Sequence, residues 1–441
     1  MRRPNIIYMH SHDTGRYVQP YGHAIPTPNI QKLAEDGVTF TCAFCCAPTC
    51  SASRASLLTG QVSHSCGQFG LVNRGFELRD REKHVAHTLK SAGYSAYQLG
   101  VHHVVRDPLT CGYDERLMVD LDDNGTNNVA NRAEEFFADP PEGPFFLNIG
   151  FRDTHRTFPV APEEDARYCM PPAPLPNTRE TRQDMADFIA AARVLDGGIG
   201  SVLAALDESG LAENTLVICT TDHGIAFPKM KCNLTDHGTG VMLIIRGSGG
   251  FSGGKVCDGL VSQVDVFPTI CDVAGIDHPD WLQGTSLLPL VNGETEEING
   301  EIYAEVNYHA AYEPMRAVRT NRWKYIRRYM DYPHPVVAQI DSCPSKDLVC
   351  EHGYAKETVD KEELYDLIRD PNEAHNLANY PACSEALEDM RIRLDNWMIV
   401  SDDPLLDGPI PAPDGVVLSF SDEYDHWEAV KRFRARTKGP E

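Results

Sequence analysis

Positive charge is scarce in this sequence. Forty Lys and Arg residues stand against 64 Asp and Glu, a formal net charge of -24 over 441 residues. Nucleic acids and anionic membranes are held by clustered Lys and Arg, so a broad surface for either is excluded and an anionic substrate has to be attracted locally. Long apolar runs are missing too, and no stretch approaches the length of a bilayer span. At the start, MRRPNIIYMH puts Arg2 and Arg3 before a short apolar run broken by His10 and His12, with no small-residue cleavage site behind it. This predicts a first β-strand rather than a signal peptide, and a cytoplasmic location. Repeated cysteine knuckles are also absent. The 14 cysteines are expected as reduced thiols, many of them buried, rather than as disulfides.

What the chain does have is an ordinary globular composition, 42% hydrophobic and 24% charged, with length for one large core and a smaller companion domain. Strand-like and helical runs alternate: Asn5–Met9, a helix opened by Thr27-Pro28 and running through Ala34, then strands at Tyr94–Leu99, Phe145–Phe151, Leu216–Thr220 and Val241–Ile245. The alternation predicts an α/β fold, a mostly parallel sheet with helices on both faces. Ligands of such sheets collect beyond the carboxyl ends of the strands. That singles out His12-Asp13, His102-His103, Asp153-Thr154-His155 and Asp222-His223.

Arg179–Glu208 carries apolar residues at helical spacing, among them Phe188, Ala192, Leu195, Ile199 and Val202, and reads as a packing helix. From Glu301 the texture changes to short strands (Ile302–Tyr308, Ala317–Thr320, Lys324–Arg328), a loop bearing Pro and Cys from Tyr332 to Lys356, and a helix from Ser384 to Val400. The expected division is a catalytic domain over 1–300 and a small α+β domain, antiparallel sheet plus helix, over 301–441. The acidic tail after Asp414 carries no functional signal.

The stretch PTCSASRASLLTG, Pro48 to Gly60, concentrates the chemistry. Ala47, Ser51, Ala52 and Ser53 are small enough for the backbone to approach a ligand closely. A helix starting at Cys50 offers free N–H groups and a positive dipole end, which favour an anion and depress a thiol pKa. Arg54, one turn on, adds a fixed charge with a fork of donors. This reads as a nucleophile beneath an oxyanion. A competing reading takes Cys42, Cys45, Cys46 and Cys50 as a thiolate metal site in a non-enzymatic protein. The C-x2-C-C-x3-C spacing is not repeated downstream, and buried small residues are the plainer fate of the first three.

Cys50-Ser51-Ala52-Ser53-Arg54 followed by Leu58-Thr59-Gly60 resembles the type I sulfatase signature C-x-[PA]-S-R-x-x-x-L-T-G, with Ala52 where most members have proline. PNIIYMHSHDTG resembles that family's opening strand and metal-binding turn, PFFLNIGFRDTHR the strand leading to a substrate-side histidine, and TLVICTTDHG the strand with the second metal pair. KCNLTDHGTGVMLIIR resembles the lysine-bearing segment, and MRAVRTNRWKYIRR with ELYDLIRDPNEAHNLA the small C-terminal domain. GIAFPKMKCNL and PFFLNIGFRDTHR resemble the heparan N-sulfatase (sulfamidase) branch.

The resemblance implies an alkaline phosphatase-like fold and metal-dependent hydrolysis of a sulfate ester or N-sulfate. Cys50 would be oxidised by a formylglycine-generating enzyme to formylglycine, whose hydrate attacks sulfur with one hydroxyl and expels sulfate through the other. It implies one divalent cation on Asp13, Asp222, His223 and the Cys50 position, with His12 standing where many members have another Asp. Imidazole donors favour Mn2+ or Zn2+, with Ca2+ as the alternative. Arg54 would hold the hydrate and sulfate oxygens and Lys231 a sulfate or bridging oxygen, with Lys229 as the competing choice. His103 would deprotonate the hydrate and His155 stand near the leaving group. Val101 falls where sulfatases usually have lysine, a duty that His102 or His12 could take over. The expected substrate is a small sulfated anion such as a sulfated sugar. His223 keeps open a second hydrolase reading, a phosphonate or phosphate mono- or diesterase.

Overall fold

The computed structural model describes residues 3–118, 125–425 and 427–437, with side chains given up to residue 432. Fourteen strands occur in it: β1 Asn5–Ser11, β2 Val38–Phe40, β3 Ala43–Phe44, β4 Ser95–Gly100, β5 Glu115–Arg116, β6 Phe145–Gly150, β7 Thr215–Thr221, β8 Leu243–Arg246, β9 Lys255–Cys257, β10 Val261–Ser262, β11 Ile302–Tyr308, β12 Tyr312–Arg319, β13 Trp323–Arg328 and β14 Glu362–Asp366. Eight form the main sheet, in the order β5-β4-β6-β1-β7-β8-β2-β9. The first five run parallel, β8 runs against its neighbours, and β2 and β9 pair parallel with each other.

The central strands β1, β6 and β7 are buried along their whole length, as expected of a sheet covered on both faces. Alternate residues of β1 enter opposite cores. Ile6 and Tyr8 pack with helices Cys50–Thr59, Val85–Ser91 and Val266–Ala274, while Ile7 and Met9 pack with helices Pro28–Asp36, Thr126–Ala138 and Arg179–Glu208. The predicted α/β sheet with two helical faces is therefore present.

Helix Arg179–Glu208 has the predicted bounds and starts in a capping box, Thr178 with Thr181. It corrects one expectation, because by length and composition it is apolar enough to cross a bilayer. Its apolar side is instead spent on the core: Phe188, Leu195, Ile199 and Val202 are buried against neighbouring helices and the sheet.

Beyond residue 300, β11-β12-β13-β14 make an antiparallel sheet, and helix Ser384–Val400 lays Leu387, Met390, Leu394 and Met398 on it. Three elements of this sheet and its surroundings differ from the sequence reading. β12 begins five residues before the predicted Ala317, because Pro314 lies beside the irregularity between Val306 and Tyr308, where a missing N–H is tolerated. The edge strand β14 and helix Pro344–Glu351 went unpredicted, being short and rich in charge.

This sheet is welded to the main body by buried charge. Glu305 accepts from the backbone N–H and Nδ1 of His64, at 2.8 and 3.0 Å, and lies 3.5 Å from Arg316, which is paired in turn with Asp403. Burial alone would raise the Glu305 carboxyl, but His64 and Arg316 outweigh it and hold its pKa down at about 2. The carboxylate therefore contributes stability above its ordinary value near 4.5, and that stability is lost as pH falls towards 2. Arg316→Met is expected to destabilise the fold by about 3–5 kcal/mol, since it leaves two buried carboxylates without their cation. Denaturant titrations at neutral pH, and acid titrations of wild type and Glu305→Gln, check both statements. An unchanged midpoint for Arg316→Met would refute the first.

Candidate active site

The parallel register brings the predicted strand ends to one edge. His10 is level with Gly150 of β6 and with Thr220 of β7, so residues 12–13, 153–155 and 222–223 leave the sheet side by side. Gly100 and Gly150 face each other where β4 joins them, and a Cβ on Gly150 would stand 1.9 Å from Val101 O. Only glycine permits that approach. Asp13 and His103 take left-handed backbone, φ +52° and +58°, just past their strands, a conformation that Asp and His adopt more readily than most residues.

Helix Cys50–Thr59, with all ten residues buried, aims its N-terminus at this edge. Cys50 Sγ lies 3.3 Å from His223 Nε2, and a ring nitrogen of His103 is within 4.8 Å of the thiol. His223 Nδ1 donates to Gly224 O at 2.9 Å, which turns Nε2 towards the cluster. That Nε2 is 3.3 Å from Asp13 Oδ1 and 3.7 Å from Asp222 Oδ2. His12 Nδ1 is 3.0 Å from Asp222 Oδ2 and 3.4 Å from Asp13 Oδ1. The His155 ring stands edge-on to His12 at 5.0 Å between centroids.

Two fixed cations complete the cluster. Arg54, 1% exposed, donates to Asp222 Oδ2 and to Ser11 O, each at 2.9 Å. Lys231 Nζ bridges Asp13 Oδ2 at 3.0 Å and Asp341 Oδ2 at 2.9 Å. Asp222 Oδ1 accepts from the backbone N–H of Asp13 and of His223, at 2.8 and 2.9 Å.

These contacts set the protonation states. Burial would raise the Cys50 thiol, but Lys231, His223 and His12 outweigh it and hold its pKa well below the ordinary value. Burial likewise opposes charge on Asp222, yet His223, Arg54 and His12 keep it ionised far below the usual carboxylate range. His223 is raised to about 9 despite burial, by Asp222, Cys50 and Asp13. His103 moves the other way, because burial lowers it more than Cys50 raises it.

The donor set fits a divalent cation. Ligand atoms of His12, Asp13, Cys50 and Asp222 all lie within 4.8 Å of one another, and all four residues are buried. Ligands about 2.0–2.4 Å from one ion stand about 3–3.5 Å apart, the spacing of the His12–Asp222 and His223–Asp13 pairs, while His223 and Asp222 stand wider, at 3.7 Å.

The sulfatase family profile matches residues 4–276, well over half of the chain. The chain belongs to the sulfatase family. A second profile, N-sulphoglucosamine sulphohydrolase, C-terminal, matches residues 230–345 of this sulfatase. It is 29% identical to human N-sulphoglucosamine sulphohydrolase, over 94% of its own length and 93% of that protein. It is 26% identical to a Delta 4,5-hexuronate-2-O-sulfatase of Bacteroides thetaiotaomicron, over 91% and 90% of the two chains. Among solved structures it resembles, with a TM-score of 0.72 at 20% identity and over 92% and 99% of the two chains, a protein in complex with its substrate D-glucosamine-2-N,6-O-disulfate. That likeness carries the alkaline phosphatase-like fold. The sulfatase is a hydrolase of sulfate esters or sulfamates.

All nine predicted site residues of the sulfatase, His12, Asp13, Cys50, Arg54, His103, His155, Asp222, His223 and Lys231, meet at this one edge. Other candidates lie elsewhere. Lys229 Nζ sits over the Tyr354 ring, 5.3 Å from its centroid. His102 is buried among His84 and Tyr113, so it replaces no cation at Val101. Cys45 belongs to the core, Cys46 Sγ is 3.2 Å from Ser262 Oγ, and Cys42 is half-buried. Burial pushes the Cys46 thiol up to about 12, which disfavours a thiolate ligand, and among the described residues no candidate metal group includes these three.

Three functional neighbours escaped the sequence reading. His10 Nε2 donates to Asn148 Oδ1 at 2.9 Å, which leaves Nδ1 to accept from Arg54. Burial and Arg54 keep that imidazole neutral. Asp341 holds Lys231, and His309 stands beside Cys50. His10 looks like an interior strand residue, and the other two lie far along the chain in segments without a motif.

Proposed function

We propose that this sulfatase removes sulfate from a sulfated sugar, an N-sulfated glucosamine foremost, through a formylglycine made from Cys50. The observation that carries the reading is the position of Cys50, at a helix start, against His223 and His103 and within the charge of Lys231. The N-sulphoglucosamine sulphohydrolase relative and profile support the sugar class. The hydrated aldehyde would supply one hydroxyl to take the sulfuryl group and a second to release sulfate. Asp13, Asp222 and His223, with His12 beside them, would hold one divalent cation that supplies Lewis-acid polarisation of a sulfate oxygen.

This chain's own residues do the rest. Arg54, pinned by Asp222 and Ser11 O, presents its charge to the nucleophile position without reorganising. His103, kept neutral by burial, accepts a proton at the Cys50 side chain. His155, half-buried at the outer side of His12, serves the departing nitrogen or oxygen. Lys231, steered by Asp341, binds a sulfate oxygen as a point charge. Maturation by a formylglycine-generating enzyme belongs to this reading, and the 14 cysteines, all unpaired, fit the reducing, cytoplasmic setting it assumes.

Mass spectrometry of the peptide containing Cys50, paired with sulfate release from N-sulfoglucosamine on the same sample, tests the reading. Formylglycine and turnover are expected to rise together. Full activity with an unmodified thiol would refute it.

His12 and His223 favour a second reading of the same apparatus. Imidazole in place of carboxylate removes negative charge, so the more highly charged phosphorus esters meet less repulsion, and nitrogen donors suit Mn2+ or Zn2+ better than Ca2+. Metal analysis is expected to find a transition metal, with side activity on aryl phosphonates or phosphodiesters. Stoichiometric calcium without phosphorus-ester turnover would overturn this.

A further inference from the structure

The turn between β11 and β12 is held unusually firmly. The amides of Ala310 and Ala311 donate to Gln339 Oε1 at 2.9 and 3.3 Å, and Gln339 Nε2 donates back to Ala311 O at 3.3 Å. Ala310 O also accepts from the Ser419 amide at 2.8 Å. Gln339 is itself buried. The residue this clamp fixes is His309, 7% exposed, whose backbone N–H donates to Ala311 O at 3.2 Å.

The imidazole of His309 is not satisfied in the same way. Its Nδ1 is buried without a partner, and the side chain lies close enough to the Cys50 thiol to interact with it. An orphaned buried nitrogen on an otherwise satisfied turn is costly and calls for an explanation. Lys231 and Asp341 lie within electrostatic reach of the ring.

We propose that His309 is a further catalytic residue, a hydrogen-bond donor to a sulfuryl oxygen of the substrate, and that Gln339 positions it. The proposal rests on the reading of Cys50 as the sulfuryl-accepting position. A sulfuryl group presents three peripheral oxygens in different directions, so donors have to converge from more than one side. His103 approaches Cys50 from the end of β4, and His309 from the C-terminal sheet. The C-terminal sheet then supplies part of the anion pocket and not merely a wall.

The test uses the full chain, with the state of Cys50 measured on every preparation. Inorganic sulfate is titrated calorimetrically into wild type, His309→Leu, His309→Gln and Gln339→Ala, and kcat and KM are measured on N-sulfoglucosamine. His309→Leu is expected to weaken sulfate binding by about tenfold or more and to lower kcat by roughly a hundredfold. His309→Gln keeps an N–H donor and is expected to recover most of both, with Gln339→Ala in between. Equal sulfate affinity in wild type and His309→Leu, equal loss in the Leu and Gln variants, or no sulfate binding by wild type would overturn the proposal. Should the leucine variant not fold, His309→Ala with added imidazole decides in its place: rescue supports the role, and no rescue overturns it. A wild type that carries formylglycine and binds sulfate but turns over no sulfated sugar refutes the substrate reading instead, and the titration still decides on His309.

Discussion

Cys50→Ala abolishes turnover, by about four orders of magnitude or more, and leaves the melting temperature close to that of the wild type. The expected loss is that of removing a nucleophile from a site whose other parts act only through it. The fold should tolerate the change because Cys50 packs little apolar surface of its own. Its thiol faces His223, His103 and Lys231 rather than a hydrophobic core, and alanine suits the first turn of a helix. Sulfate release with the variant, set beside thermal melts of both proteins, checks the two halves separately. Residual turnover above about a hundredth of wild type would mean that another group attacks sulfur.

Lys231→Ala is expected to lower kcat/KM by at least about a hundredfold, the scale of losing one preorganised charge-stabilising group. The cation is buried between Asp13 and Asp341, so its removal also leaves two carboxylates facing each other without compensation. Lys229→Ala, two residues away, is the control. Its ammonium rests on the Tyr354 ring, an exchange of about 0.5–1 kcal/mol at a partly exposed site, so turnover should stay within about threefold of wild type. A larger effect at Lys229 than at Lys231 would reverse the assignment. Arg54→Ala should match Lys231→Ala in size, because Arg54 is the only arginine hydrogen-bonded to Asp222 among the described residues.

Asp341→Asn separates holding from binding. It keeps the side-chain shape but removes the charge that steers Lys231, so the loss should appear mainly in KM for the anionic substrate. A fall in kcat alone would point to a direct part in the chemistry.

Local pattern was enough for a good share of this. The short apolar run of β1 and the turn-by-turn apolar spacing of Arg179–Glu208 are set by neighbours a few residues apart, and both were predicted in place. The nucleophile helix was equally open to reading, since small residues, Cys50 and Arg54 lie within one turn of each other. The strand ends carrying His12-Asp13, His103, His155 and Asp222-His223 followed from a rule about parallel sheets. What the amino-acid order determined by itself, then, is the α/β class and four of the packing helices, Pro28–Asp36, Cys50–Thr59, Arg179–Glu208 and Ser384–Val400. With the family resemblance it also named the residues that meet at the sheet edge, Lys229 still competing with Lys231.

Tertiary structure decided what meets what. Lys231 and Lys229 have the same chemistry and nearly the same place in the sequence, yet one enters the cluster and the other turns to Tyr354. His102 and His103 are adjacent, and the left-handed backbone at His103 accompanies their parting, one to Cys50 and the other to the core with His84. His309 and Asp341 reach Cys50 and Lys231 only because Glu305, His64, Arg316 and Asp403 seat the C-terminal sheet beside the main one. Contacts of that kind join residues hundreds of positions apart. Their energy comes from desolvated charge that exists only once the two sheets have met, so no local spacing records it.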